Sequence, residues 1–231
     1  MSSRALAAPD LARCLAAGEA VLFPTDTLPA LAAQPAAAAA LWRIKHRPGE
    51  KPLILMAADL EQVLGWLAVP WRQSWLDQAQ RCWPGAVTLV LPIRGPSTEA
   101  LHPGGTTLGL RVPACEEARA LLRLSGPLAT TSANRSGEPA ARSAAEAAAL
   151  FPHLALLAPL PWPAGSGQAS AVIAWEESAP SELVGAWRVL RAGGGYSPAT
   201  QASPALPSAL SAASRSAHTP GWSPAAPEGG A

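Results

Sequence analysis

Short apolar runs and stretches of helical spacing take turns along most of this chain, the pattern of strands alternating with helices. Asp10 is placed to cap a helix over 11–18 that Gly18 would close. The run 19–25 reads as a strand ending at Pro24, and 30–34 as a second strand. Residues 37–47 are helix formers and set Leu41, Ile44 and Lys45 on adjacent turns. Residues 52–57 read as a strand, and Asp59 as the cap of a helix over 60–68. Trp71, Trp75, Leu76 and Ala79 fall at helical spacing within 71–83, and the tryptophans read as core packing. Strands are expected at 86–92 and 108–113, then a helix from Glu116 to Leu124 closed by Gly126. A strand at 127–132, a helix at 143–151 and late strands at 170–175 and 187–192 complete the pattern. The alternation predicts an α/β or α+β domain around a mixed sheet, without internal repeats.

Near Gly193 the pattern stops. Ser, Pro, Ala and Gly prevail to the end, and Arg215 and Glu228 are the only formal charges there. Such a segment buries too little apolar surface to offset the entropy of ordering it. The expected organisation is therefore one domain over 1–194 and a disordered Ser/Pro/Ala-rich tail over 195–231.

Composition narrows the function classes. The chain has 231 residues, 49% hydrophobic and 14% charged, with a formal net charge of +1. That balance argues against a strongly basic nucleic-acid binder and against an acidic solvating protein, while leaving room for a local basic cleft. Cys14, Cys82 and Cys115 are odd in number and widely spaced, which argues against a disulfide framework or a zinc site and for reduced thiols in the cytoplasm. The histidines, His46, His102, His153 and His218, show no metal spacing. The N-terminus lacks the pattern of a signal peptide, and no apolar run reaches the roughly 18 residues of a membrane span.

Four stretches could carry chemistry. TTSANRSGEP, Thr130 to Pro139, packs hydroxyls and an amide at the exit of a strand. Ser132 and Asn134 alternate with Ala133, so on extended backbone they share a face suited to phosphate or sugar oxygens; the plain alternative is a polar turn. IKHRPGEKP crowds Lys45, Arg47 and Lys51 around a helix end, which suits a polyphosphate or simply a solvated terminus. FPTDT flanks Asp26 with Thr25 and Thr27, a small polar site or an Asx-type turn. In LGLRVP, Arg111 interrupts an apolar strand, so it is paired, bound to a ligand or on an edge facing water.

Taken in order, these stretches resemble the YrdC-like family of threonylcarbamoyl-AMP synthases (TsaC). PTDT at 24–27, KHRP at 45–48, PLI at 52–54, WPGAVT at 83–88, GLRVP at 109–113 and SANRSG at 132–137 follow the family's motif order, and the match covers about 10–191. SAVIAW from Ser170 and the segment around Arg191 are similar to its late motifs. The resemblance implies a twisted mixed sheet flanked by helices, with a large concave cationic cleft. It implies that L-threonine and bicarbonate combine as a carbamate, which attacks the α-phosphate of ATP to give threonylcarbamoyl-AMP and pyrophosphate. Lys45, Arg47, Ser132 and Asn134 would be catalytic and bind ATP, with Lys51, Thr107 and Arg191 also on the nucleotide. Thr25, Thr27, Arg111, Thr130 and Ser170 would surround threonine and the bicarbonate-derived carboxylate. Mg2+ would arrive with ATP, without a dedicated protein site. Partner proteins would transfer the threonylcarbamoyl group to tRNA in the cytoplasm. The chain departs from the family at Leu28-Pro29-Ala30, where an aromatic residue and glycine are usual, at Lys51, and at Met56.

Two further readings use the same residues. A non-catalytic member of the fold would lay tRNA or double-stranded RNA along the cations, with strong salt dependence. A related carbamoyl-adenylate enzyme would act on a different acceptor.

Overall fold

The structure, a computed structural model, describes residues 4–46, 49, 51–177 and 185–194. The expected tail, 195–231, and Arg47 lie outside the described residues. Among the described residues ten strands form one mixed sheet: β1 (Ala5–Leu6), β2 (Val21–Phe23), β3 (Ala30–Ala33), β4 (Ile54–Met56), β5 (Val87–Leu91), β6 (Leu108–Arg111), β7 (Leu128–Ser132), β8 (Ala155–Leu157), β9 (Ala171–Glu177) and β10 (Gly185–Arg191). Their order across the sheet is β1-β8-β2-β3-β7-β4-β6-β5-β9-β10. The pairs β1–β8, β2–β8, β4–β6 and β5–β9 are parallel, and the others antiparallel. The mixed α/β expectation is met.

Among the described residues seven α-helices pack on this sheet: α1 (Ala8–Ala16), α2 (Ala39–Lys45), α3 (Leu60–Leu67), α4 (Gln73–Cys82), α5 (Pro96–Leu101), α6 (Glu116–Ser125) and α7 (Ala144–Leu150). Asp59 caps α3 by accepting the Gln62 amide at 2.8 Å, as its side chain predicts. Asp10 does not cap α1. Pro9 sits at the first turn, where its missing N–H costs nothing, so α1 starts at Ala8 and Asp10 lies inside that turn, paired with Arg13. Trp71 precedes α4 and packs edge-on against Trp75, which continues through Trp175 to Trp187 and ties α4 to β9 and β10. No described helix is long and apolar enough to cross a membrane.

Strand alternation divides the interior in two. Leu31, Leu55, Leu89, Leu110, Ala129 and Ile173 point to one face, where they pack with α2, α3, α4 and α7. Val21, Phe23, Ala30, Met56 and Leu128 point to the other, where α1 and α6 supply Leu11, Leu15, Leu121 and Leu122. On this second face α1 and α6 cluster with β8, β2, β3 and β7. The stretch over β4, β6, β5 and β9 carries a cavity instead.

The thiols follow the two cores. Cys82 and Cys115 are buried, and Cys14 is partly exposed. Burial pushes the Cys115 thiol up from 9.0 to about 12. The unfolded chain therefore ionises first, and this thiol's contribution to stability is lost as pH rises from 9.0 towards about 12. At about pH 8, iodoacetamide is expected to modify native Cys14 first, with Cys82 and Cys115 reacting only on denaturation. Peptide mass spectrometry reads this directly.

Candidate functional site

The cavity follows from side-chain parity. On β5, Val87, Leu89 and Leu91 enter the core, which turns Thr88 and Val90 the other way. On β6, Leu108 and Leu110 enter the core, which turns Gly109 and Arg111 with them. The same rule aims Ile54 and Met56 of β4, Thr130 and Ser132 of β7, and Val172 of β9. Register then aligns Thr130, Ile54, Gly109 and Val90 in one row. The space they enclose is about 440 Å³, within the range of small-molecule sites.

Gly109 keeps the floor of this cavity open. A Cβ there would lie 2.9 Å from Ile54 Cγ2 and 3.5 Å from Thr88 Cγ2. Gly109→Val is expected to fill the cavity and displace Ile54, weakening ligand binding by more than about tenfold. Calorimetric titration with ATP and with L-threonine checks this.

One end of the cavity is a directed hydrogen-bond chain. The Thr25 hydroxyl donates to the Leu28 carbonyl at 2.7 Å, which uses its only proton. Across the 2.9 Å contact between the two threonine hydroxyls, Thr27 is therefore the donor. Thr27 in turn accepts from Arg111 Nη1 at 2.8 Å. Arg111 also donates through Nη2 to Asp26 at 2.8 Å and through Nε to the Gly85 carbonyl at 3.1 Å. Asp26 further accepts the Ala114 amide at 3.1 Å. Three of five guanidinium N–H groups are engaged in these bonds, which leaves one N–H on each of Nη1 and Nη2 for an incoming anion. Burial lowers the Arg111 pKa, Asp26 opposes that shift, and Arg191 adds to it through like charge.

Arg191 also lines the cavity. Its guanidinium donates to the Ser170 carbonyl at 2.8 and 3.1 Å and to the Ser170 hydroxyl at 3.4 Å. It pairs with no carboxylate among the described residues, and partial burial lowers its pKa. Ser170 Oγ lies 2.9 Å from Thr88 Oγ1. His102 also lines the cavity, with Nδ1 3.0 Å from the Thr107 carbonyl. A carbonyl only accepts, so Nδ1 carries the proton.

The SAN loop, at the exit of β7, is tied to the last residue of α2. Lys45 is 2% exposed, and its Nζ donates to the Ser132 carbonyl at 2.5 Å and to Asn134 Oδ1 at 2.7 Å. The Ser132 hydroxyl donates to the same Asn134 oxygen at 2.7 Å. Ser132 and Asn134 do meet, through a bend in which the Asn134 amide donates to the Ser132 carbonyl, rather than along extended backbone.

The structure thus gathers Thr25, Thr27, Thr107, Arg111, Thr130, Ser132, Ser170 and Arg191 around one cavity. Lys45 and Asn134 adjoin it through Ser132 without lining it. Lys51 is exposed and outside the lining, its carbonyl accepting from Trp42 Nε1. Thr88, His102 and Gly109 were not singled out from the sequence. Strand parity was the available signal for Thr88 and Gly109, whereas His102 depends on a loop contact.

Comparison with known proteins points to one family. A family model, Sua5/YciO/YrdC, described as telomere recombination, matches residues 13–193. The threonylcarbamoyl-AMP synthase of Idiomarina loihiensis is 41% identical over 135 residues, covering 54% of this chain and 70% of that one. That of Stutzerimonas stutzeri is 36% identical over 145 residues, covering 62% and 78%. The structure of P. abyssi Sua5 complexed with L-threonine superposes with a TM-score of 0.71 at 33% identity, covering 81% of this chain. The match spans only 54% of that Sua5 chain. E. coli YciO shares the fold, with a TM-score of 0.67 at 20% identity, 84% of this chain and 96% of that one.

Proposed function

This chain belongs to the Sua5/YciO/YrdC family, and we propose that it is an L-threonylcarbamoyladenylate synthase, a nucleotidyltransferase acting on ATP, L-threonine and bicarbonate. The observation that carries this reading is the pairing of two cations at one cavity. Arg111 has one N–H left on each terminal nitrogen, and Arg191 has no carboxylate partner among the described residues. Two guanidiniums lining one cavity favour an anion beside them, which both a carboxylate and a triphosphate supply.

The chemistry needs positioning and charge neutralisation more than covalent help. The threonine nitrogen takes up the bicarbonate carbon to form a carbamate, with loss of water. A carbamate oxygen then bonds to the α-phosphorus as the bond to the β-phosphate oxygen breaks, and pyrophosphate leaves. Arg111 would hold the threonine carboxylate. Thr27, whose proton is committed to Thr25, would offer a lone pair to a donor on threonine, and Thr130 and Ser170 would complete that end. Lys45, Ser132 and Asn134 would cradle the phosphates with Arg47, and Thr107 and Arg191 would face the nucleotide. Lys51 would act at long range from the rim. Magnesium enters as part of the ATP substrate. The polar side chains lining the cavity are hydroxyls, two guanidiniums and the His102 imidazole, and nearby Asp26 is committed to Arg111, which suits an ion carried on phosphate oxygens and water. The product would pass to threonylcarbamoyl-transferring proteins that modify tRNA in the cytoplasm.

Mass spectrometry of the reaction mixture tests the assignment. Carbon-13 bicarbonate is expected to label threonylcarbamoyl-AMP. A labelled adenylate of another amino acid, with none from threonine, would indicate a different acceptor.

A further inference from the structure

The loop entering β9 holds two walls of the cavity at once. The Ser166 amide donates to the Asp26 carbonyl at 3.0 Å, and the Gly167 amide to the Thr27 carbonyl at 3.1 Å. At Gly165, a Cβ would lie 2.3 Å from the Thr27 carbonyl oxygen and 2.8 Å from that of Thr25. Real Cβ atoms do not approach so closely, so glycine is what lets the two backbones meet. A few residues on, Ala169 and Ser170 line the cavity, and Ser170 receives Arg191.

We propose that Gly165 is a positioning residue for the amino-acid end of the site: it lets segment 165–167 clamp the backbone of 25–27 and so fixes the chain from Arg111 through Thr27 to Thr25. The proposal rests on the synthase reading for its kinetic consequence, but the clamp itself is a property of the fold. The chain has little slack. Ala at 165 would push the Thr27 carbonyl by roughly 1 Å to reach ordinary contact, and such a shift carries a 2.8 Å hydrogen bond beyond useful length. The Thr27 hydroxyl and the Arg111 fork would then no longer converge. On the nucleotide side, Lys45 and the SAN loop touch neither segment in these contacts, and Arg191 is held by Ser170, three residues beyond the clamp.

The test compares wild type, Gly165→Ala and Gly18→Ala. Gly18, at φ +84°, closes α1 away from the cavity, so its variant reports backbone strain alone. Threonine KM and ATP KM are read by pyrophosphate release, and amide hydrogen exchange over 24–28 is read without substrate. Gly165→Ala is expected to raise the threonine KM about tenfold or more, with the ATP KM within about twofold, and to speed exchange in 24–28. Gly18→Ala is expected to lower Tm and change none of these. Unchanged exchange over 24–28 in Gly165→Ala would overturn the clamp, as would equal rises in both KM values. If wild type releases no pyrophosphate with threonine while exchange still responds to Gly165→Ala, the synthase assignment fails and the clamp stands.

Discussion

Arg111→Met is expected to lower threonine-dependent turnover by about a hundred- to a thousandfold, chiefly through the threonine KM. Arg111 is 3% exposed and holds Thr27, Asp26 and Gly85 together. Methionine approximates its stem but none of its donors, so Asp26 is left without its cation and Thr27 without the bond that orients it. Breaking a buried ion pair in this way destabilises by about 3 kcal/mol, which denaturant unfolding would register beside the kinetics. Arg111→Lys is expected to rescue little, because one ammonium cannot satisfy three acceptors spread over separate backbone and side-chain positions. A variant that kept the wild-type threonine KM while losing stability would reduce Arg111 to a structural pair.

Lys45→Ala is expected to abolish ATP-dependent pyrophosphate release, by about a hundredfold or more, with the loss read in ATP affinity. The Lys45 ammonium is the cation that gathers the Ser132 carbonyl and Asn134 Oδ1 at the cavity margin. Removing it takes away positive charge and the tie that shapes the bend. Ser132→Ala removes one hydrogen bond to the same Asn134 oxygen, so its effect is expected to be smaller, about 1 kcal/mol in ATP binding. Wild-type ATP affinity in both variants would mean that the phosphates bind elsewhere.

These residues were legible in the sequence for different reasons. Arg111 announced itself because a charge inside an apolar strand needs a partner, and Thr25 and Thr27 flank a carboxylate in the stretch that supplies that partner. Ser132 and Asn134 were found by alternation, although the backbone brings them together through a bend. The helix and strand pattern was carried by hydrophobic period, and it failed where period had too little length to act. β1 has two residues and β8 three, and they exist because they pair with each other and with β2, not because their own spacing demands it. α5 opens on Pro96 and ends within six residues, too short to show a face. Asp10 misled because its side chain suits a cap, while Pro9 and the alanines before it suit helix still better. Lys51 looked like one of a cationic trio, yet its place after the helix leaves it at the surface. Gly165 gave no local sign at all. Its importance comes from a contact with residues some 140 positions earlier in the chain, where only the folded backbone shows that a side chain would not fit.

The most direct test of the central claim is pyrophosphate release from MgATP by the full chain, with threonine and bicarbonate supplied together and each omitted in turn. The account predicts release that requires both, with L-threonine preferred over serine and glycine. Release independent of threonine and bicarbonate, or none with any amino acid despite measurable ATP binding, would contradict it.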